Sequence, residues 1–240
     1  MNAPAHKPVP MDYVSTIRHM RLLGAAGPAD LVWDWERGRL TGTDAAGAPW
    51  VLRLPACLPT PPLRMPRSRY DGHPVPSVGL SDWAFSLPLV PPDFLLVLIQ
   101  AGHAALGHFV EGEAVKHKVV KKYMVRGSGK AQVNYLATRG KSKAGSRVRL
   151  ANTVRFFEDI NEKLIEWNCQ DQVQRILIGC PIRLGVLWHD ADPPPPFQKD
   201  DPRIHKVPFD TGRPDLDTLF HIGRQVCFGW AEGNVPLPSL

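Results

Sequence analysis

The chain has 240 residues, 43% hydrophobic and 22% charged, with 29 Lys and Arg against 23 Asp and Glu for a net charge of +6. That length holds one or two domains with a full core, and the composition excludes both a miniature disulfide or metal scaffold and wholesale disorder. No apolar run approaches the ~20 residues that a helix needs to cross a bilayer, and the N-terminal MNAPAHKPVP has neither the basic start nor the apolar stretch of a secretory signal, so a cytoplasmic protein without a membrane span is expected.

Residues 1–92 hold 15 of the 25 prolines, with clusters at Pro59, Pro61 and Pro62 and at Pro88, Pro91 and Pro92. Prolines at that density break long helices. Within this stretch residues 13–23 read as one short helix, and residues 31–36 and 50–54 read as a hairpin around the turn-rich TGTDAAGAP. The domain reading is therefore a Pro-rich accessory module at 1–92, an α/β domain at 93–230 and a C-terminal tail at 231–240.

From Asp93 onward FLLVLIQAG, ALGHFVEG and AVKHKVVKKYMVR form three β-type runs separated by Gly-containing turns, which fits an antiparallel meander. Alternation in the third run puts Val115, His117, Val119, Lys121, Tyr123 and Val125 on one face. The other carries Lys116, Lys118, Val120, Lys122, Met124 and Arg126, and is markedly basic. A polar, glycine-rich connection follows at 127–145, without apolar periodicity, as in a mobile or functional loop. Leu150, Val154, Phe157, Ile160, Leu164 and Trp167 then recur at helical spacing, predicting one buried stripe with Ser146 as N-cap. RILIGC and GVLW read as strands, Pro193 to Pro196 as an extended spacer, IHKVPF as a further strand and residues 214–230 as a terminal helix. Meander, helix, strands and helix predict a mixed α/β sheet covered on at least one face.

The positive charge is concentrated: residues 114–157 carry 12 Lys or Arg and no acid, which leaves the rest of the chain net acidic. Cys57, Cys169, Cys180 and Cys227 form no CxxC pair, the nine histidines show no HxxxH or HExxH spacing, and no serine sits in a GxSxG elbow. No metal, cofactor, disulfide framework or triad hydrolase is implied. RGSGKAQ falls short of a P-loop, which needs Gly at Met124 and a hydroxyl at Ala131. What remains is a turn, Gly127, Ser128, Gly129 and Lys130, that permits close backbone approach and ends at Gln132, whose amide suits the orientation of a water. A glutamine is no base near pH 7, so chemistry here relies on positioning and on cationic charge. RGKSKAGSRVR, ahead of the helix, suits phosphate, and RNA is the polyanion that fits so long an acid-free tract. The bland counterparts are a surface turn and a solvated basic face. Asp200 and Asp201 read as loop charges.

Three ordered blocks, KKYMVRGSGKAQ, GKSKAGSRVRLANTVRFFEDI and KDDPRIHKVPFDTGRPDLDTL, together resemble the release-factor-like domain of the ankyrin-and-zinc-finger peptidyl-tRNA hydrolases of ribosome-associated quality control. That domain is similar to the middle domain of eukaryotic peptide-chain release factors. The similarity runs from about residue 93 to 229. It implies an RNase H-like mixed sheet and release of nascent peptide from peptidyl-tRNA on stalled large ribosomal subunits. The release would occur by ester hydrolysis or by endonucleolytic cutting near the tRNA 3′ end. The family's functional glutamine falls on Gln132, with Gly127 and Gly129 in its loop, and its basic KS segment on Lys141 and Ser142, followed by Ser146. KSKAGS departs from the small-residue run usual in the family. Lys121, Lys122, Arg126, Lys130, Arg139, Arg147 and Arg149 are the residues expected to grip tRNA phosphates. The family's ankyrin repeats, paired-Cys zinc finger and coiled coil have no counterpart in this sequence. The rival expectation is a non-catalytic ribosome- or structured-RNA-binding protein with the same basic cradle; a purely structural interaction module is the third.

Overall fold

The computed structural model describes residues 7–26, 28–64, 75–123 and 143–236. β1 (Val9–Met11) leads into α1 (Tyr13–Ala26), whose Tyr13, Ile17, Met20 and Leu23 fall at helical spacing and are all buried. β2 (Val32–Asp34), β3 (Arg39–Thr43) and β4 (Pro49–Arg53) follow as an antiparallel run. The hairpin around TGTDAAGAP therefore pairs residues 49–53 with 39–43, and residues 32–34 lie on the far side of β3. Asp44 closes the turn, its Oδ1 accepting the N–H groups of Ala46 and Ala48 at 2.9 Å each. A two-stranded pair, β5 (Leu63–Arg64) with β6 (Val75–Pro76), and a short helix, α2 (Leu80–Ser86), complete the N-terminal part.

The centre of the molecule is β7 (Phe94–Gln100), buried from Phe94 to Ile99. It pairs antiparallel with β8 (His103–Val110), which pairs antiparallel with β9 (Glu113–Lys121). On its other side β7 runs parallel to β10 (Arg175–Gly179), and β10 runs parallel to β11 (Ile204–Lys206). The order is β11-β10-β7-β8-β9, with β8 opposed in direction to the other four. Phe94, Leu96 and Leu98 point into one core with α1, α2 and the helix α5 (Leu216–Gln225); Leu95, Val97 and Ile99 point into another. That second core is closed by α3 (Lys143–Trp167) and α4 (Ile182–His189).

Four sequence expectations are corrected here. α3 begins at Lys143, so Ser146 lies inside its first turn and is not the N-cap. Its buried face runs through Phe156, Phe157, Ile160, Leu164 and Trp167, while Val154 is 49% exposed. GVLW belongs to α4, because a four-residue apolar run carries no decisive period and Pro181 at the N-cap position sets the chain for a helix. Residues 214–230 do not form one helix: α5 ends at Gln225 and residues 229–232 form β12 (Gly229–Glu232). Gly229 permits the switch, since a Cβ there would lie 2.5 Å from Thr16 Oγ1 of α1.

β12 inserts between β1 and β4, giving a five-stranded sheet of order β1-β12-β4-β3-β2. It crosses the expected 230/231 boundary, and one apolar cluster joins residues on both sides of 92/93. α5 lies flat on Phe109, where a Cβ at Gly223 would sit 2.3 Å from the ring.

On the α3 side a single polar residue locks three elements. Asn161, fully buried, accepts from Trp188 Nε1 at 2.5 Å and donates through Nδ2 to the carbonyls of Pro193, at 2.7 Å, and Trp188, at 3.3 Å. Asn161→Leu keeps the volume but strands the indole N–H and the Pro193 carbonyl, and should lower the unfolding free energy by about 2–4 kcal/mol in urea titration. A loss under about 0.5 kcal/mol would show that water or repacking replaces these bonds.

Candidate functional site

Gln132 and the turn Gly127, Ser128, Gly129 and Lys130 lie outside the described residues, as do Arg126, Arg139, Lys141 and Ser142. Ser146, Arg147 and Arg149 fall on the first two turns of α3. What the structure describes in detail is the frame from which the 124–142 connection leaves and to which it returns.

β9 delivers the chain to that connection. Lys121 is in register with His103 of β8, and the N–H of Lys122 still donates to the Gly102 carbonyl at 3.0 Å. The Tyr123 carbonyl then accepts from Asn152 Nδ2 of α3 at 2.9 Å, which joins the outgoing limb to the returning helix. One residue earlier, Lys122 Nζ meets Asp159 Oδ2 of α3 at 2.9 Å. The pair is partly exposed, at 30% and 42%, so its contribution is about 0–1 kcal/mol and lies more in register than in strength.

The basic face of β9 is thus turned toward α3. Lys116 Nζ donates to the Trp167 carbonyl at 3.0 Å, a cation on the negative end of a helix. Lys118, Lys121 and Lys122 share a shallow depression with Asp159, Glu162 and Glu166, one acidic edge of the same helix. Two lysines of this basic face are therefore committed to holding α3, and the acid-free tract of the sequence is partly neutralised by residues that follow it.

The opposite face of β9 meets α5. His117 stacks edge-on against Phe220, with ring centroids 5.4 Å apart. At the end of the strand, Lys121 shares its surroundings with His103, Arg213 and Asp215. Burial lowers the His103 pKa, reinforced by the charges of Arg213 and Lys121, so the imidazole is neutral at physiological pH. Its Nδ1 is buried without a hydrogen-bond partner among the described residues. The Asp215 carboxyl is held below its usual range by hydrogen bonds from Thr218, with Lys121 and Arg213 adding to the shift, and it caps α5 by accepting the Thr218 N–H at 2.8 Å. Gln100 Nε2 donates to the Gly212 carbonyl, tying the 210–215 segment to the end of β7.

The frame can supply cations at a loop exit and one neutral imidazole able to accept a proton. Asn152, Asp159, His103, Arg213 and Asp215 were not singled out from the sequence. The first two lie in the GKSKAGSRVRLANTVRFFEDI block and Arg213 and Asp215 in the last block, whereas His103 carries no sequence signal. Among the described residues no three His, Cys, Asp or Glu side chains converge as a metal site, and no helix is long and apolar enough to cross a membrane. Asp201, one of the paired acids, is held by Arg203 at 2.7 Å.

Residues 94–227 match a family model described as bVLRF1, Bacteroidetes VLRF1 release factor. The chain is 31% identical over 134 residues to the human tRNA endonuclease ANKZF1, an alignment covering 54% of this chain and 18% of that protein. It is 26% identical over 146 residues to the Caenorhabditis elegans tRNA endonuclease vms-1, covering 59% and 23%. The chain thus spans less than a quarter of the length of these relatives. Among solved structures, the Vms1 mitochondrial localization core aligns with 90% of this chain and 78% of its own, at 14% identity and a TM-score of 0.44.

A double-mutant cycle on Lys122→Ala and Asp159→Ala should return a coupling of about 0.2–1 kcal/mol in urea unfolding, smaller in 1 M salt. A coupling of zero at low salt would remove the pair from the anchoring of the loop.

Proposed function

Because this chain belongs to the bVLRF1 release-factor family, we propose that it releases nascent peptide from peptidyl-tRNA on stalled large ribosomal subunits in the cytoplasm. The observation that carries this reading is that the matched span, 94–227, contains all of residues 127–132 together with β9, the strand that precedes them in the chain. The naming of the human and nematode relatives as tRNA endonucleases supports tRNA as the substrate. The sheet order, with only the second strand of the meander reversed, supports an RNase H-like domain.

Two bond cleavages fit. In the first, Gln132 orients a water against the ester carbonyl; the carbon–oxygen bond to the tRNA ribose breaks and the proton ends on the departing ribose oxygen. In the second, a ribose 2′-hydroxyl attacks the adjacent phosphorus; the bond to the 5′ oxygen breaks and that oxygen takes the proton, leaving a cyclic phosphate. Either route develops negative charge that nearby Lys and Arg stabilise. Lys121 is exposed and in no ion pair among the described residues, which supports this role for it, whereas Lys122 is held by Asp159. The acid-free tract favours one rival, RNA binding without chemistry.

The test is release of labelled peptide from stalled large subunits by wild type and Gln132→Leu, with mapping of the tRNA 3′ end. Release should fall by about 100-fold or more in the variant, the scale on which lost positioning acts. Equal release by both proteins would defeat the assignment; an intact CCA end marks ester hydrolysis and a shortened tRNA marks cutting. Arg147→Glu with Arg149→Glu should weaken tRNA binding and flatten its salt dependence by about two ions. Unchanged binding would remove α3 from the RNA interface.

A further inference from the structure

A cleft of about 910 Å³ opens between the N-terminal sheet and the β11 edge of the central sheet. It lies at the edge opposite β9, away from the departure of the 124–142 connection. Arg175 lines it and is only 7% exposed. Its Nε donates to the Ala56 carbonyl at 3.2 Å and its Nη1 to Thr60 Oγ1 at 2.7 Å. Both acceptors are neutral. Among the described residues no carboxylate pairs with this guanidinium, and its Nη2 has no hydrogen-bond partner. Burial lowers its pKa to about 10, so the side chain is still cationic at neutral pH. A buried cation without a counter-charge is costly, and buried charges are ordinarily paired. Here the side chain that carries the unmet donor lines the cleft.

The surroundings narrow the ligand. Lys206, exposed on β11, adds a second cation free of ion pairs among the described residues. His205 is kept neutral by burial and by Arg175, its pKa pushed down to about 4, and its Nδ1 is buried without a partner. It offers hydrogen bonding but no charge. Trp35, Phe228 and Trp230 line the same cleft, so aromatic side chains lie in the same lining as the cations. By contrast, Arg53 is neutralised by Glu232 at 2.9 Å, and Glu36 and Asp210 also belong to the lining. Cations that seek an anion beside planar aromatic surface match a phosphate joined to a base.

We propose that this cleft binds a nucleoside phosphate, with the phosphate on Arg175 and Lys206 and the base against Trp35, Phe228 and Trp230. The source is a free nucleotide or the end of a single RNA strand. Titration calorimetry on the full chain with inorganic phosphate, AMP and a 5′-phosphorylated pentaadenylate separates the two. AMP binding as tightly as the pentanucleotide indicates a free nucleotide, and binding of the pentanucleotide alone indicates a strand end. Lys206→Glu, on the surface, and Arg175→Gln should each weaken binding by about tenfold, the worth of one charge-assisted hydrogen bond. Thermal unfolding of both variants identifies any loss caused by misfolding. Gln132→Leu should bind as wild type does, which separates this cleft from the peptide-release reading. Failure of both nucleotides to bind, affinity for inorganic phosphate equal to that for AMP, or full affinity in Lys206→Glu would overturn the proposal.

Discussion

Burial of β7 on both faces is the constraint on which the rest of the molecule depends. A strand reading FLLVLIQ has no side to offer to water, so elements must cover it from above and below. Its alternating side chains divide the interior: Phe94, Leu96 and Leu98 recruit α1, α2 and α5, and Leu95, Val97 and Ile99 recruit α3 and α4. The meander then carries the chain outward from this strand to β9 at the sheet edge.

Charge is distributed by the same geometry. The third strand of the meander is basic on one face, and α3, packed on that face, brings acids of its own. Lys116 and Lys122 become fasteners of the helix, at its last carbonyl and at Asp159. A count of Lys and Arg along the sequence therefore exceeds the cationic surface available to a polyanion. Arg175 behaves in the reverse manner. It opens an apolar strand, yet it is buried and its charge is unopposed among the described residues.

Where one pattern dominates, the sequence is readable. The meander, α1 and the second half of α3 follow from two-residue and helical periods carried over several turns. GVLW is too short to reveal its period, and Val226 and Cys227 extend the helical rhythm of α5 past its end, concealing the break at Gly229. RLTGT has one buried side chain, Leu40, and so lacks a strand's usual hydrophobic mark. For the site, glycine and glutamine chemistry and the ordered blocks point to the 127–132 turn, but its frame is tertiary. Asp159 lies just beyond the acid-free tract, and only the packing of α3 against β9 brings it to Lys122. Nothing local marks His103, whose environment is made by Lys121 and by Arg213, more than a hundred residues downstream.

The position of β12 has a consequence for how the protein is made. Its strand lies between β1 and β4, so the first sheet to emerge during synthesis has a gap that the last segment of the domain fills. Until residues 229–232 have been translated, β1 lacks its partner and β4 shows a row of unpaired backbone groups to the crowded surroundings of the nascent chain. Completion of the fold is therefore a late event, and a chain whose translation halts before that point has an open sheet edge able to recruit other strands.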